Sequence, residues 1–331
     1  MQSMLKAARS AAGAALFGAT LFLGSTALAQ AEMRVAFGDI PSVETLHLLI
    51  AFERAKEAGL ELEVSYLKSE DIAAQAVVSG QADVGVGGPY ALIQKVKAPV
   101  RMFMQLSTLQ MYPVVNGESY KTWKDLDGEE VAVHSRGSGT EALMKLAAQQ
   151  NGIAFSGISY VPGSEVRAGA LLQGNVKASI VDASGKRLLE KQAPGKFVFL
   201  PVDNITATDE ALFANTEYLE ANKEDVAKLV EAIVSTWREV QANPKIVGEL
   251  RTKYNLLPDA TPDMVAEIEP YFAEAAAAGL PLNGGGEEAA KDDFAFYTVS
   301  GALQGEATEL KTEDFWDFTP LKAALAKLGQ S

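Results

Sequence analysis

The sequence of 331 residues contains no cysteine and only two histidines. The absence of cysteine excludes disulfide bonds, thiolate metal sites, iron–sulfur clusters, cysteine nucleophiles and the lipidated cysteine of a bacterial lipoprotein. His47 and His134 have no carboxylates at a metal-binding spacing, so the sequence predicts neither a metal site nor a cofactor.

Basic residues are also scarce. Lysine and arginine together number 29 against 43 aspartates and glutamates, and the formal net charge is −14. A nucleic-acid partner requires a basic face, and no cluster of lysine and arginine occurs, so we expect no nucleic acid to bind. The composition, 48% hydrophobic and 22% charged, is typical of a soluble globular protein.

The first 29 residues carry the pattern of a secretory signal peptide. Lys6 and Arg9 precede an apolar run over 11–23, and Ala27-Leu28-Ala29 fits the small-residue rule for cleavage. The run is shorter than a membrane span, and no second apolar run follows it. The sequence therefore predicts cleavage near Ala29 and a periplasmic location.

Strand and helix patterns alternate through most of the remaining chain. Residues 33–106 predict the order β-α-β-α-β-α-β, which builds a parallel sheet covered on both faces. The pattern breaks near residue 116 and restarts over 130–182 as a second unit, and one more strand is predicted at 197–201. After about residue 215 the pattern is nearly all helical, and we expect these helices to cover the first sheet.

The turn Gly137-Ser138-Gly139-Thr140 lies between a predicted strand and a predicted helix. Free N–H groups at a helix start can hold an anion, and Arg136 would add a positive charge. With Ala142 the turn also matches the dinucleotide fingerprint, a short pattern that is easily met by chance. A third interpretation is a connection that needs its glycines only for the bend. A Walker phosphate loop is absent.

Three other turns have a similar place in the pattern. They are Gly38 to Ser42, the stretch Gly87-Gly88-Pro89-Tyr90, and the pair Ser107 and Thr108. In a doubly wound sheet these positions lie at the carboxyl ends of strands, where ligands bind. Four polar turns from two units therefore predict a ligand cleft between the units, with Tyr90 available to stack or donate.

Acidic residues near the same turns suggest a ligand with a positive group. Asp39, Glu44, Glu165 and Asp182 are the candidates, and Asp182 is the best of them because it ends an apolar strand. A carboxylate buried there requires a partner. Together with Arg136, these acids favour a small zwitterion or polar organic anion, such as an aminosulfonate. A neutral heterocycle is the alternative ligand, with aromatic faces from Tyr90, Tyr112 and Phe213.

Four segments together resemble a known family. They are "MRVAFGDIPS", "AAQAVVSGQADVGVGGPYALI", "KTWKDLDGEEVAVHSRGSGTEALMKLAAQQNGI" and "GNVKASIVDA", all after a signal peptide. Over residues 33–240 the chain is similar to the solute-binding proteins of ABC importers, in the group that serves taurine, alkanesulfonates, nitrate and thiamine-pyrimidine precursors.

This resemblance implies an α/β type II periplasmic-binding-protein fold, with two lobes, mixed mainly parallel sheets and a ligand cleft between them. It implies a small-molecule ligand, an ABC permease in the inner membrane as partner, and a monomer. Residues 30–112 would begin lobe I, 113–205 would form lobe II, and 206–331 would return to lobe I with a helical C-terminal region. We expect the chain to cross near 109–116 and 202–212.

The candidate ligand-binding residues combine the four turns with the positions that match the family. They are Asp39, Gly87, Gly88, Tyr90, Ser107, Thr108, Arg136, Ser138, Gly139, Thr140 and Asp182.

Enzymatic alternatives are weaker on the residues present. A eukaryotic branch of the superfamily makes the thiamine pyrimidine with a cysteine cluster and a histidine, and this chain has no cysteine. No G-x-S-x-G nucleophile elbow occurs. The sequence therefore predicts a carrier that captures its ligand by closing, and leaves a periplasmic hydrolase or a chemosensory receptor as alternatives.

Overall fold

A computed structural model describes residues 32–203 and 205–329. The predicted signal peptide, residues 1–29, lies outside the described residues. Within the described ranges the strands form two five-stranded sheets, each flanked by helices. None of the described helices combines enough length with enough apolar character to cross a bilayer.

The first sheet has the strand order β2-β1-β3-β10-β4. Its four N-terminal strands run parallel, and β10 lies antiparallel between β3 and β4. Strands β1, β3, β4 and β10 are mostly apolar and buried because helices cover both faces, whereas the edge strand β2 is largely exposed after its first residue. Their bounds are β1 (Met33–Phe37), β2 (Leu62–Tyr66), β3 (Val84–Gly87), β4 (Val100–Gln105) and β10 (Ala211–Asn215).

The second sheet repeats this plan with the order β7-β6-β8-β5-β9. Here β5 is the antiparallel strand, and it occupies the same fourth position. In both sheets the antiparallel strand is the first one after the chain arrives from the other sheet. The bounds are β5 (Tyr112–Asn116), β6 (Glu130–Val133), β7 (Gly157–Tyr160), β8 (Ala178–Val181) and β9 (Phe197–Phe199).

We use lobe I for the first sheet with its flanking helices and lobe II for the second. Core residues of α8 and α12 pack in one cluster with the strands of the first sheet, as expected for the C-terminal helices. The helices are α1 (Leu46–Glu57), α2 (Glu70–Val78), α3 (Tyr90–Val96), α4 (Gly139–Asn151), α5 (Ser164–Gln173), α6 (Ala183–Gln192), α7 (Thr216–Ala221), α8 (Lys223–Ala242), α9 (Ile246–Lys253), α10 (Pro262–Ala278), α11 (Gly286–Val299) and α12 (Thr319–Leu328).

The chain passes between the sheets over residues 106–111 and again, in the part that the structure describes, over residues 200–203 and 205–210. The two crossings lie side by side and exchange backbone hydrogen bonds. Leu106 N donates to Glu210 O at 2.8 Å, and Asp209 N donates to Ser107 O at 3.0 Å. The first crossing ends earlier than predicted, because the apolar residues after Met111 already pair in the second sheet as β5.

Candidate functional site

A small cavity lies between the lobes, and we call it the acid cavity. Its volume is about 20 Å³, enough for about one or two water molecules. Its lining comes from both lobes and from both crossings, so the lobes are closed around it. The lining residues are Asp39, Glu44, Glu70, Met111, His134, Thr140, Arg167, Asp209 and Glu210.

A second cavity of about 60 Å³ adjoins the first, and we call it the aromatic cavity. It shares Glu44, Met111, Asp209 and Glu210 with the acid cavity, so these residues form the common wall. Ser107 and Thr108, both predicted, line it as part of the first crossing. Its aromatic lining residues are His47, Trp237, Tyr271 and Phe272.

Three carboxylates of the common wall have no hydrogen-bond donor among the described residues. They are Glu44, Asp209 and Glu210. Burial, with the neighbouring negative charges, raises the pKa of Asp209 to about 7 and raises the pKa values of Glu44 and Glu210 well above the usual range. The wall therefore presents acceptors that the protein itself leaves without donors.

The glycine turn after β3 supports another acid of the cavity, Glu70. Gly88 N donates to Glu70 Oε2 at 2.7 Å, and burial raises the pKa of Glu70 to about 8. Gly87 has a φ of +141°, and a Cβ there would lie 2.8 Å from Glu70 Cγ. These two predicted glycines therefore position Glu70, and the amide of Gly88 is already used.

Arg167 is a buried guanidinium that lines the acid cavity. Its Nε donates to Ile180 O at 2.7 Å and its Nη1 to Val161 O at 2.9 Å. Desolvation lowers its pKa, but an arginine stays protonated at neutral pH. Since a guanidinium has five N–H donors, the two backbone bonds leave donors for the cavity.

His134 links the two lobes beside the acid cavity. Its Nε2 donates to Gly38 O in lobe I at 3.1 Å, and its Nδ1 accepts from Gly163 N at 3.4 Å. Burial lowers the pKa of His134, so the ring is neutral with its proton on Nε2. The predicted Asp39 lies close by, with Oδ1 3.8 Å from Nδ1.

Charged residues of α6 and α10 hold the lobes together outside the cavities, and we call this set the strap. Arg187 pairs with Glu267 at 2.7 Å and also with Glu274, while Lys191 pairs with Asp263 at 3.0 Å. Because α6 follows β8 of lobe II and α10 packs with the helices of lobe I, the strap joins the two lobes in this structure.

The predicted turn at the start of α4 reaches the cavity from lobe II. Thr140 lines the cavity, and its Oγ1 accepts from His134 N at 3.1 Å. Ser138 caps α4, and its hydroxyl donates to Ser135 O at 2.8 Å, so this hydroxyl orders the turn. A Cβ at Gly139 would lie 3.1 Å from Asp209 Oδ1, so glycine permits this close approach.

Three predicted residues lie away from both cavity linings. Tyr90 is buried, and its hydroxyl donates to Asp293 and accepts from Trp316 Nε1. Arg136 is exposed, with its guanidinium 5.2 Å from the ring centre of Tyr160. Asp182 caps α6 and accepts from a serine hydroxyl and a backbone amide.

All three residues make their contacts outside the cavities. Helix packing satisfies Tyr90 and helix capping satisfies Asp182 within their own lobes, whereas Arg136 lies at the surface of lobe II against Tyr160. Two further aromatic candidates also lie elsewhere. Phe213 is buried against Gly85, and the Tyr112 hydroxyl donates to Glu274.

Sequence reasoning missed Glu70, Arg167, Asp209 and Glu210. For Arg167 a signal was present, because the buried residues of α5 are Ser164, Arg167, Ala168 and Leu171, an apolar-stripe spacing that includes a charge. The acids at 209 and 210 precede the short apolar strand β10, which was itself not predicted. Among the described residues, no group of three or more histidines and acids is arranged to hold a metal ion.

Comparisons with known proteins agree with this architecture. A structure from Bordetella bronchiseptica RB50 shares 20% identity at a TM-score of 0.73, covering 91% of this chain and 99% of that one. The periplasmic nitrate-binding protein NrtA from Synechocystis PCC 6803 shares 13% identity at 0.67, covering 90% and 89%. The alkanesulfonate-binding protein SsuA from Xanthomonas axonopodis pv. citri, bound to MOPS, shares 15% at 0.59, covering 83% and 95%.

At these identities the likeness shows the fold, which is the two-lobed type II periplasmic-binding-protein fold expected from the sequence. None of the curated proteins matches the sequence. A family model described as NMT1/THI5-like matches residues 55–246, more than half of the chain. The chain therefore belongs to the NMT1/THI5-like family.

Proposed function

We propose that the protein is the periplasmic solute-binding component of an ABC importer. In this proposal lobe I comprises residues 30–112 and 206–331, lobe II comprises 113–205, and a small polar solute is captured between them. The observation that carries the proposal is the acid cavity, whose lining comes from both lobes and both crossings. A ligand held there contacts all four parts only when the lobes are closed.

Closure is the proposed mechanism of capture. The bond from His134 to Gly38 and the strap join the lobes in the closed form, and a ligand adds its own contacts to this state alone. Such differential contact shifts the population towards closure. The protein then acts as a monomer that presents its closed shape to an inner-membrane permease. A cleaved signal peptide would place it in the periplasm.

Two ligand classes have support at the site. Arg167 beside several carboxylates supports a zwitterion with an acidic group and an amine, such as an aminosulfonate. Arg136 is exposed and lines neither cavity, so it does not supply the positive charge that would bind a simple anion. The aromatic cavity, with Trp237 and Tyr271, supports the alternative of a heterocycle such as a thiamine-pyrimidine precursor.

The site also supports a carrier over an enzyme. Both ring nitrogens of His134 are engaged with backbone groups, so this histidine is not free to act as a general base. The hydroxyl of Thr140 accepts from the His134 amide and lies 2.9 Å from the Ser138 hydroxyl, and among the described residues no carboxylate or imidazole forms a hydrogen bond with it.

A thermal-shift screen of the mature protein tests this function. The panel contains sulfonates, amino acids, amines, nitrate and pyrimidines, and we expect at least one compound to raise the melting temperature. Small-angle scattering should then show a smaller radius of gyration with that compound, and NMR should show it chemically unchanged. Consumption of the compound, or binding without compaction, would contradict the carrier function.

A further inference from the structure

We propose that the solute is an organic cation of the primary-amine or amidinium class, whose N–H groups are held by Glu44, Asp209 and Glu210. This inference rests on the proposed function, because it names the ligand class of the same cleft. Four observations carry it: acceptors without donors, an excess of carboxyl groups over cations, the lack of a metal-binding geometry among the described residues, and an adjoining aromatic wall.

The acceptors line the cavities, where Asp209 is buried and Glu44 and Glu210 are half-buried. Asp209 is only 8% exposed, lines both cavities, and has no donor among the described residues. Its Oδ1 lies 3.1 Å from the Cβ position of Gly139 in lobe II, so the carboxylate faces the closing turn. A buried carboxylate without donors is unfavourable. A ligand with N–H groups supplies the missing donors and so offsets the free-energy cost of burying the carboxylate. A ligand that has only acceptors does not.

The charge of the cavity points the same way. Five carboxyl groups line the acid cavity, and Arg167 is the one cation in its lining. The histidine of the lining, His134, is neutral because burial lowers its pKa. A bound cation favours the ionised form of these acids and is then attracted by all of them, whereas an anion opposes their ionisation.

The arrangement favours an organic cation over a metal ion. The described part of the chain places no three histidine or acidic side chains together in a metal-binding geometry. The carboxylates are instead spread along a wall that two cavities share. Several separated acceptors suit the divergent N–H groups of an amine or amidinium.

The aromatic cavity gives an independent indication. The ring of His47 lies 4.1 Å from that of Trp237, and its Nδ1 is buried without a partner. Burial lowers the pKa of His47 to about 3, so the ring is neutral. Tyr271 and Phe272 complete the wall. Aromatic faces next to carboxylates attract a cation and also accommodate the apolar body attached to it.

Proton release is a consequence of this assignment. The buried acids hold protons more tightly than free carboxylic acids, as the pKa of about 7 for Asp209 shows. A bound cation favours the ionised form, so binding near neutral pH should expel protons. The measured heat should then depend on the ionisation enthalpy of the buffer.

A matched trio of probes tests the charge requirement. Benzamidine, benzamide and benzoate have almost the same shape but are cationic, neutral and anionic. We expect benzamidine to bind the mature protein at least tenfold more tightly than either of the others at pH 7.5, measured by calorimetry in two buffers and by intrinsic tryptophan fluorescence. Equal binding of the three, preference for benzoate or benzamide, or no binding by any of them would overturn the proposal.

Two variants test whether the carboxyl groups of the common wall cause the preference for a cation. Asp209→Asn and Glu210→Gln should each weaken benzamidine binding at least tenfold, while the apo protein melts at the same or a higher temperature, because an amide cannot ionise in the wall as these acids can. Glu61→Gln, at an exposed position before β2, is the control and should bind like the wild type. Variants that bind benzamidine as tightly as the wild type would overturn the assignment.

The two proposals fail differently. If taurine or benzoate closes the lobes in scattering experiments and benzamidine does not bind, the carrier function stands and the cation assignment is wrong. If benzamidine binds with proton release but the radius of gyration does not change, the cation assignment stands and capture by closure is wrong.

Discussion

Two glycines at the cleft have different physical roles. Gly87 needs its positive φ, and its missing side chain leaves space for Glu70. Gly139 instead allows lobe II to approach lobe I, since a Cβ there would lie 2.8 Å from Leu109 Cδ1 and 3.1 Å from Asp209 Oδ1. Gly87 therefore leaves room for the side chain of Glu70, and Gly139 permits the lobes to close.

Gly139→Ala therefore should impair closure without unfolding the protein. The added methyl group meets the crossings only in the closed form, and overpacking of this kind costs about 1–3 kcal/mol. We expect the affinity for a solute found by the screen to fall about tenfold, which corresponds to about 1.4 kcal/mol. Gly248→Ala is the control, because nothing lies within 4 Å of its Cβ position. Equal affinities of the two variants would contradict this role.

At the scale of single residues, the sequence indicates which turns reach the cleft better than which side chains line it. Asp39, Glu44 and Thr140 line the acid cavity, as turn positions at strand ends suggest. Tyr90 and Arg136 do not, because burial in a helix face and exposure on a lobe surface depend on tertiary packing. Arg167 is the opposite case. Its position on the buried stripe of α5 was visible in the sequence, and its side chain does line the acid cavity.

Elements outside the cavities also control closure, and the strap is the clearest example. Arg187 is 26% exposed and pairs with two acids of α10, whereas Lys191 and Asp263 are both more than half exposed. Exposed ion pairs contribute about 0–1 kcal/mol, and partly buried, multiply bonded ones contribute more. The strap should therefore depend mainly on Arg187.

Arg187→Ala should weaken solute binding by about 1–2 kcal/mol, mostly through faster dissociation, because the pairs it removes join the two lobes in the closed form. Lys191→Ala is the matched variant on the same helix, and it should change affinity by less than about 1 kcal/mol. Stopped-flow dissociation at two salt concentrations measures both. A larger effect of Lys191→Ala would show that the strap does not depend mainly on the partly buried pairs of Arg187.

The element order of the N-terminal part could be predicted, but two later elements could not. Strand β10 is a five-residue apolar run that pairs with strands more than one hundred residues earlier, and such non-local pairing leaves no local periodicity. Helix α6 buries Ser184, Gly185 and Leu189, so its inward face carries little apolar signal. Strand β10 follows the second crossing, and helix α6 directly follows the end of strand β8. In neither place does a turn motif in the sequence mark the start of the new element.

For the whole molecule, the buried acids link closure and stability to pH. Burial raises the pKa of Glu70 to about 8 and those of Glu165 and Asp209 to about 7. The folded protein therefore holds protons that the unfolded chain releases, since an unfolded carboxyl group titrates near pH 4. Stability contributed by these groups is present at low pH and is lost as pH rises towards the folded pKa values.

The melting temperature of the apo protein should therefore fall between pH 6.5 and pH 8.5. The histidines act in the opposite direction only at lower pH, because burial lowers the pKa values of His47 and His134 below the usual value of 6.5. Glu70→Gln keeps an acceptor for Gly88 N and should reduce the dependence of the melting temperature on pH. A saturating cation should raise the melting temperature most at the alkaline end of this range. Calorimetric scans at half-unit intervals measure this. A melting temperature that is constant or rises over this range would show that the acids are ionised in the closed apo protein.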